Sequence, residues 1–157
     1  SMEQLAKILD AFCTFPALEK VKLFKRTLFS FLVGNEDMHL KNFSLITRDN
    51  KVELAPAYDY LSSTVAFLAL GKRLEEIEEV ALPLQDRKRN LTRRTWVDYF
   101  GTERLALPPT VIDRVLRELA DAGDAWRARI GESFLPPEQK ELYTRLIAER
   151  TQRLLIS

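Results

Sequence analysis

Residues 32–45 read LVGNEDMHLKNFSL, and residues 54–63 read LAPAYDYLSS. The first stretch begins at the end of a predicted helix over residues 17–33, which is apolar around most of its circumference and stops at Gly34. A polar loop then follows directly. Polar loops beside buried helices often carry functional side chains, because the helix gives them a rigid support. The two stretches therefore indicate both the centre of the fold and the candidate site.

A short β-hairpin is predicted between the two stretches. Residues 43–47 and 52–55 have the composition of strands, and the four residues between them include an Asp-Asn pair that suits a tight turn. Pro56 ends the second strand, because proline cannot continue a central strand. Asp59 is therefore expected in a loop just past a strand end.

Most of the remaining chain is predicted to be helical. Apolar residues recur at helical spacing over residues 3–13, 109–122 and 137–155, residues 94–100 form a further predicted helix, and residues 74–80 are ambiguous. The predicted fold is mainly α, a bundle of about six helices with one small β-hairpin next to the candidate site. The aromatic residues predicted to pack inside are Phe12, Phe15, Phe24, Phe29, Phe31, Trp96 and Trp126. The predicted solvated face of the last helix carries Arg145, Glu149, Arg150 and Arg153.

Composition limits the class of protein. The chain has 157 residues, enough for one domain with a full core, and 24 Lys+Arg against 23 Asp+Glu give a net charge of +1. This balance offers no whole-chain reason to expect nucleic-acid or membrane binding. Cys13 is the one cysteine, so the chain can form neither an internal disulfide nor a cysteine-built metal site, and a cytoplasmic location is predicted. The longest apolar run, residues 65–70, is far shorter than the roughly 20 residues of a membrane span.

The candidate chemistry lies in four polar positions. Asp37, His39 and Asn42 form a D-x-H-x-x-N string, and the second aspartate, Asp59, follows across the predicted hairpin. Phosphoryl transfer needs one carboxylate near the acceptor hydroxyl, and a carboxylate and an amide oxygen that hold Mg²⁺ against the nucleotide phosphates. The pattern predicts Asp37 as the base or hydroxyl-orienting residue, with Asn42 and Asp59 as metal ligands. His39 or Lys41 is predicted to contact the transferred phosphate.

Taken together, the two stretches resemble the C-terminal part of the HipA family. These are serine/threonine kinases best known as toxins of bacterial toxin–antitoxin systems, distantly related in fold to phosphoinositide and protein kinases. The resemblance extends over nearly all of the chain, including KRNL at residues 88–91. It implies a kinase C-lobe fold and transfer of the ATP γ-phosphate to a protein substrate. Aminoacyl-tRNA synthetases are among the substrates of family members, and a helix-turn-helix antitoxin is an expected partner.

The resemblance also assigns the site. Asp37 would be the catalytic aspartate, His39 and Lys41 would lie in the catalytic loop near the γ-phosphate, and Asn42 and Asp59 would bind Mg²⁺ and, through it, ATP. Complete kinases of this family have an N-terminal lobe with a phosphate-covering loop, an ATP-binding lysine and a hinge for adenine. None of these features is found in this chain, and its five glycines are too scattered to form a Gly-rich phosphate loop.

The chain is therefore expected to be a single C-lobe domain over residues 1–157, with Ser1 a cloning scar. It would be an excised, proteolysed, split or shortened product whose N-lobe is supplied in cis or in trans. Most nucleotide contacts in a two-lobed kinase come from the cleft between the lobes. ATP binding by this chain alone is therefore expected to be weak, and the isolated chain is expected to be inactive.

Each candidate residue also has a structural interpretation. Asp37 and Asp59 can cap helices or turns, as most loop aspartates do, and Asn42 can simply end the loop. His39 can bond to the backbone, and one histidine is too little for a zinc site. Lys41 is expected to be solvated unless a second lobe closes the cleft.

Two further hypotheses stay open. The densest positive patch can contact phosphate, including DNA held by an antitoxin, or can be a solvated surface offset by nearby acids, which we favour. The chain as a whole can be a non-catalytic helical module that docks a separate N-lobe or an antitoxin. A phosphoinositide or small-molecule kinase is disfavoured, because those enzymes usually follow the second aspartate with Phe-Gly. The patch residues are Arg87, Lys88, Arg89, Arg93 and Arg94.

Overall fold

A computed structural model describes residues 1–155, and these residues form a mainly helical domain with one two-stranded antiparallel sheet. The prediction of a mainly α fold with one small hairpin is confirmed. The α-helices are α1 (Met2–Phe12), α2 (Pro16–Val33), α3 (Ser63–Ala69), α4 (Pro109–Asp121), α5 (Gly123–Glu132) and α6 (Pro137–Leu155). The strands are β1 (Leu45–Arg48) and β2 (Lys51–Leu54), and a π-helix spans Arg94–Arg104. Short 3₁₀ turns occupy Leu40–Asn42 and Leu74–Glu76.

Helix α2 is the centre of the domain, and α1, α4, α6 and the π-helix all pack on it. It begins at Pro16, where proline's missing N–H costs nothing, and it ends at Gly34, which has a φ of +75°. Phe24, Leu28 and Phe31 on this helix are fully buried. No helix within residues 1–155 combines the length and the apolar character that a membrane crossing requires.

The hairpin is held by its turn and by side chains from the helices. Asp49 and Asn50 both have positive φ, as a two-residue hairpin turn of the primed type requires, and Leu45 pairs with Leu54 at the open end. The buried carboxylate of Glu19, in the first turn of α2, accepts a hydrogen bond from the Leu54 backbone N–H at 2.8 Å. The sheet is therefore tied to α2, and the loop that follows β2 leaves from a fixed position.

The π-helix replaces the α-helix predicted over residues 94–100. Its last hydrogen bond runs from the Leu105 N–H to the Phe100 oxygen, five residues back. Trp96 and Phe100 on this helix are fully buried, and Trp96 packs against Phe31 with ring centroids 5.4 Å apart. Gly101 faces Phe24, where a Cβ atom would approach the Phe24 ring to 3.2 Å. The wider turn thus accommodates close packing on α2, which apolar periodicity does not encode.

Two predicted core residues lie on the surface. Phe12 is 65% exposed and Phe15 is 51% exposed, and both lie at the corner between α1 and α2. The Lys51 ammonium of β2 lies 5.9 Å from the centroid of the Phe15 ring. Phe24, Phe31 and Trp96 are buried as predicted. Phe29 and Trp126 are partly buried and pack on each other. The prediction for Phe12 and Phe15 was therefore wrong.

The predicted solvated face of α6 is also partly wrong. Arg150 is fully buried, and its Nη1 donates a hydrogen bond to the main-chain oxygen of Phe31. Arg153 forms an ion pair with the buried carboxylate of Glu79. Helix α6 packs on both α2 and α3, so that more than one of its faces is covered. Arg145 and Glu149 are exposed or at the surface, as predicted.

Candidate active site

The candidate site is formed by two loops that are held together by main-chain and side-chain hydrogen bonds. The first, residues 34–42, follows α2, and the second, residues 55–62, follows β2. The Thr64 N–H donates to the Gly34 oxygen at 3.0 Å, and the Asn35 side chain donates to the Asp59 oxygen at 2.9 Å. At the far end, the Tyr58 hydroxyl donates to the main-chain oxygen of Lys41. The loops are therefore joined along their length.

Asn42 and Asp59, the predicted metal ligands, are in direct contact. The Asn42 Nδ2 atom lies 3.2 Å from the Asp59 Oδ2 atom, and Asn42 is buried whereas Asp59 is exposed. Asp59 has a φ of +60°, a left-handed conformation that aspartate tolerates better than most residues. This conformation is held by the bond from Asn35 to the Asp59 main-chain oxygen. The left-handed backbone and the hydrogen bonds from Asn35 and Asn42 together set the position of the Asp59 side chain.

Asp37 and His39 lie next to each other on the first loop. The His39 N–H donates to the Asp37 oxygen at 2.8 Å, while the His39 Nε2 and Asp37 Oδ1 atoms are 3.9 Å apart, too far for a hydrogen bond. The Asp37 carboxylate is exposed. The His39 Nδ1 atom is buried and has no hydrogen-bond partner among residues 1–155. The Asp37 carboxylate is therefore accessible to molecules in the solvent.

The loop alternates between anchored and exposed side chains. Met38 is buried, and its sulfur lies 3.0 Å from the Ser30 hydroxyl of α2. The Asn35 N–H donates to the Ser30 oxygen at 2.9 Å. Lys41 is exposed, which agrees with the solvated interpretation of its side chain. The loop therefore has a fixed backbone that presents Asp37 and Lys41 outward.

Comparison with known families gives this geometry a context. The model of the HipA-like C-terminal domain matches residues 1–126. The chain belongs to the HipA-like C-terminal domain family. Its fold is also similar to the HipA chain of a Shewanella oneidensis MR-1 structure described as HipA, HipB and operator DNA, with a TM-score of 0.74 and 24% identity. The match covers 99% of this chain and 36% of that HipA chain.

Curated relatives match shorter stretches of the HipA-like domain. A Haemophilus influenzae protein named "Putative kinase" is 36% identical over 63 residues, which cover 40% of this chain and 18% of that protein. The Sinorhizobium fredii protein "Putative kinase Y4mE" is 42% identical over 59 residues, which cover 38% of this chain and 14% of that protein. The HipA-like domain thus matches only a small part of the length of these relatives.

The donor set at Asn42 and Asp59 fits Mg²⁺. Carboxylate and amide oxygens are the hard ligands that this ion prefers, and it usually takes one or two ligands from protein and the rest from phosphates and water. Within residues 1–155, no three His, Cys, Asp or Glu side chains are grouped so that they alone could hold a metal ion. The pair Asn42 and Asp59 is therefore suited to an ion that a nucleotide brings with it.

Sequence reasoning missed Asn35 and Arg150. Asn35 is buried, and its side chain fixes the backbone of Asp59. The sequence feature that could have indicated this role is the position of the asparagine, directly after the glycine that ends α2. Arg150 bonds to Phe31, in the last turn of the helix that carries the site loop. Its role could not be read from α6 alone, because it depends on which helix packs opposite.

The basic patch of the HipA-like domain is largely paired. The Lys88 ammonium lies 2.9 Å from a Glu78 carboxylate oxygen, and Arg93 donates to the Leu154 main-chain oxygen at 3.0 Å. The Arg89 guanidinium lies 3.4 Å from the main-chain oxygen of Glu75. The remaining patch residues, Arg87 and Arg94, are exposed. This arrangement agrees with the favoured interpretation of a solvated, offset surface.

Proposed function

We propose that the HipA-like domain is the catalytic lobe of a serine/threonine protein kinase that transfers the ATP γ-phosphate to a protein hydroxyl. One observation carries the proposal. The Asn42 side chain contacts the carboxylate of Asp59, which lies 17 residues later in the sequence. Asn42 is on the same loop as Asp37. An aspartate for the acceptor and an Asn/Asp pair for the metal are the groups that phosphoryl transfer requires.

Asp37 is assigned to the acceptor hydroxyl. Its exposed carboxylate would accept the hydroxyl proton while the acceptor oxygen bonds to the γ-phosphorus. The bond from that phosphorus to the bridging oxygen breaks, and ADP leaves with its electron pair. His39 and Lys41 are the nearby donors assigned to the phosphate oxygens. The His39 side chain is partly exposed beside Asp37, which supports this role for the histidine.

Asn42 and Asp59 are assigned to Mg²⁺. When bound, the ion neutralises charge on the phosphates and orients them for transfer. Asn42 serves this arrangement by holding the Asp59 carboxylate, and Asn35 serves it by holding the Asp59 backbone. Asn42 would bind the ion through its amide oxygen and Asp59 would bind it through its carboxylate.

The biological setting is proposed from the family. The similar HipA chain of Shewanella oneidensis is described in complex with HipB and operator DNA. A toxin role, restraint by a helix-turn-helix antitoxin and an indirect contact with DNA are proposed here by the same likeness. An aminoacyl-tRNA synthetase is a candidate protein substrate.

The test of the metal site uses Mn²⁺ as a paramagnetic substitute for Mg²⁺. Amide resonances of ¹⁵N-labelled HipA-like domain are recorded with ATP while Mn²⁺ is added. We expect broadening to concentrate at residues around Asn42 and Asp59 and to disappear in Asp59→Asn. Broadening of amide resonances detects a local site even when the affinity for Mn²⁺ is in the millimolar range.

A matched control is available in the hairpin turn. Asp49 has a positive φ like Asp59, it is exposed, and it lies at the far end of the sheet from the candidate site. Asp49→Asn should keep the broadening pattern of the wild-type domain. Broadening that persists unchanged in Asp59→Asn, or that is uniform over the surface, would refute the metal assignment.

The test of catalysis uses the longer protein that carries this domain. Phosphate transfer from γ-labelled ATP to protein should fall by at least about 1,000-fold in Asp37→Asn and in Asp59→Asn, since each removes an essential charge. Asp49→Asn should transfer phosphate at the wild-type rate. Unchanged transfer in both site variants would overturn the kinase proposal.

A second candidate function is supported by a separate surface. Ile8, Phe12, Phe15 and Leu18 are all at least 40% exposed and follow one another along the second half of α1, the turn after it and the first turn of α2. Exposed apolar clusters of this kind mark interaction surfaces. The HipA-like domain can thus act as a module that docks an N-terminal lobe or an antitoxin. Calorimetry with the N-terminal part of the Shewanella oneidensis HipA should show binding to the HipA-like domain. The double variant Phe12→Ser and Leu18→Ser should remove this binding. ATP turnover by the HipA-like domain alone would contradict a purely non-catalytic role.

A further inference from the structure

A pocket of about 350 Å³ opens beside Tyr60, the residue that follows Asp59. Arg26 and Phe29 of α2 form one wall, and Trp126 of α5 forms another. The pocket is open to solvent in the part of the chain that the structure describes. It therefore adjoins the candidate active site but contains none of the residues assigned to catalysis or metal binding.

Arg26 supplies a positive charge to this pocket, and the carboxylate of Glu19 acts on it electrostatically without forming an ion pair. The Arg26 side chain is half-buried, and within residues 1–155 it has no carboxylate within 4.0 Å and no side-chain hydrogen bond. Burial lowers the pKa of Arg26 from its ordinary value, which indicates that the guanidinium has lost part of its hydration. The neighbouring Lys25 is paired with Glu118 at 2.6 Å. An anion entering the pocket would therefore meet Arg26.

Aromatic side chains form a large part of the remaining lining, beside Leu119, Ala122 and the Lys25–Glu118 ion pair. The Phe29 ring packs edge-on against Tyr60 and Trp126, with centroid distances of 5.1 and 5.5 Å. Burial raises the pKa of Tyr60, so its hydroxyl remains a neutral hydrogen-bond donor at physiological pH. A free inorganic anion gains nothing from aromatic walls. A side chain that joins a carboxylate to hydrocarbon gains from both features.

A second, mainly apolar pocket of about 240 Å³ lies next to the first. The two pockets share Phe29 and Trp126, and the second is also lined by Ile130, Leu135 and Arg129. We call the two neighbouring pockets the groove. Because Arg26 and apolar side chains line it together, the groove fits a polypeptide segment better than a single ion.

We propose that this groove binds the acceptor protein through an acidic residue at Arg26 and an adjacent apolar residue at Trp126. The inference rests on the proposed kinase function, because it places the bound segment next to the loop that carries Asp59. It predicts a substrate class: proteins whose phosphorylated hydroxyl lies near an acidic residue followed by bulky apolar residues. Arg26 is a binding residue in this scheme and takes no part in phosphate transfer.

The experiment uses two capped hexapeptides as probes, SAELLA and SAQLLA, titrated into the ¹⁵N-labelled HipA-like domain. The Trp126 indole N–H and the Arg26 Nε–H report binding in the groove. We expect the Glu peptide to bind about 10-fold more tightly than the Gln peptide, the ratio typical of one charge-assisted hydrogen bond. Arg26→Gln should abolish this preference. Arg94→Gln removes the same charge from an exposed arginine elsewhere and should leave the preference intact.

The outcomes separate this inference from the kinase proposal. Equal affinity for the two peptides, or an unchanged preference in Arg26→Gln, would overturn the acceptor groove even if Mn²⁺ still binds at Asp59. Displacement of the Glu peptide by an equal concentration of inorganic phosphate or acetate would also overturn it, because the pocket would then be a general anion site. A preference that survives in Asp59→Asn while Mn²⁺ binding is lost supports the groove as a site of its own.

Discussion

Arg150, in the last helix, donates a hydrogen bond to the main-chain oxygen of Phe31, in the last turn of α2. The guanidinium also lies over the Phe31 ring at 5.1 Å from its centroid. Because α2 leads directly into the loop of Asp37 and Asn42, this contact fixes the base of the candidate site from the far end of the chain. A cation at the carboxyl end of a helix is also favoured by the helix dipole.

Replacing Arg150 should destabilise the domain. Arg150→Met keeps much of the side-chain volume and removes a buried charge, but it leaves the Phe31 main-chain oxygen without its donor, so we expect a net loss of about 0.5–1.5 kcal/mol in the free energy of unfolding. Arg145→Met, on the same helix but exposed, should change stability by less than about 0.5 kcal/mol. Urea unfolding monitored by fluorescence measures both. Equal effects of the two substitutions would show that the Phe31 contact contributes nothing.

Gly34 should be intolerant of any side chain. Its φ of +75° disfavours other residues, and a Cβ atom would lie 2.7 Å from the Leu146 Cδ2 atom and 2.9 Å from the Ser62 Oγ atom. Gly71 has a similar φ of +85° but no neighbour within 4 Å of a built Cβ. Gly71→Ala should therefore cost about 1–2 kcal/mol, and Gly34→Ala about 3 kcal/mol or more.

Comparison of Gly34→Ala with Gly71→Ala separates two causes of lost stability, the backbone strain and the steric clash of the added side chain. The difference between the two thermal or urea midpoints measures the clash of a side chain at Gly34 with Leu146, Ser62 and Thr64 together, since the backbone strain is common to both. If Gly34→Ala and Gly71→Ala lose the same stability, α6 does not press on the start of the site loop.

Stability should fall below pH 4.5 partly because of Glu3. Burial raises the pKa of this carboxyl, but hydrogen bonds from Ser1, Gln85 and Tyr99 outweigh burial and leave the pKa below its ordinary value of 4.5. A lowered pKa in the folded state adds stability above pH 4.5, and that stability is lost as the pH falls through the folded-state pKa. Glu3→Gln should therefore be less stable at pH 7 and show a shallower decline toward acid.

The magnitude for Glu3 is below about 1 kcal/mol, because the carboxyl is partly exposed and solvent screens it. Glu138→Gln is the control, since Glu138 is exposed and has no ion pair or side-chain hydrogen bond among the described residues. Urea midpoints at several pH values between 3 and 7 give the comparison. Parallel pH curves for wild type and Glu3→Gln would contradict the assignment.

Phe12 and Phe24 should respond differently to truncation, although both are phenylalanines on neighbouring helices. Phe24 is fully buried and contacts Phe100 with ring centroids 6.3 Å apart, so Phe24→Ala should cost about 3–5 kcal/mol. Phe12 is 65% exposed, so Phe12→Ala should change the free energy of unfolding by less than about 0.5 kcal/mol. A large loss in Phe12→Ala would show that the α1–α2 corner belongs to the core after all.

The parts of the fold that depend on neighbouring residues were predictable. The end of α2 at Gly34 and the hairpin turn at Asp49 and Asn50 follow from local conformational preferences, and both are observed. The contact of Asn42 with Asp59 was also accessible, because the hairpin between them returns the chain to its starting point. Short-range rules were sufficient for all of these.

The parts that depend on distant packing were not predictable. Apolar periodicity assigns α6 one buried face, whereas contact with both α2 and α3 covers a second face and buries Arg150. The same limit explains the π-helix, whose extra residue per turn fits Gly101 against Phe24. The exposure of Phe12 depends on which elements stop short of the α1–α2 corner. A one-dimensional pattern contains none of these long-range contacts.

Helix α6 lies beyond residue 126, where the match to the family model ends, yet its Leu146 packs on Gly34 and its Arg150 holds Phe31. The stretch matched by the family model is thus shorter than the set of residues that support the candidate site. The end of α2 and the loop of Asp37 and Asn42 depend on two contacts from outside the matched stretch. A fragment that ended at residue 126 would lose both of them, and the candidate loop would then begin from an unsupported helix end.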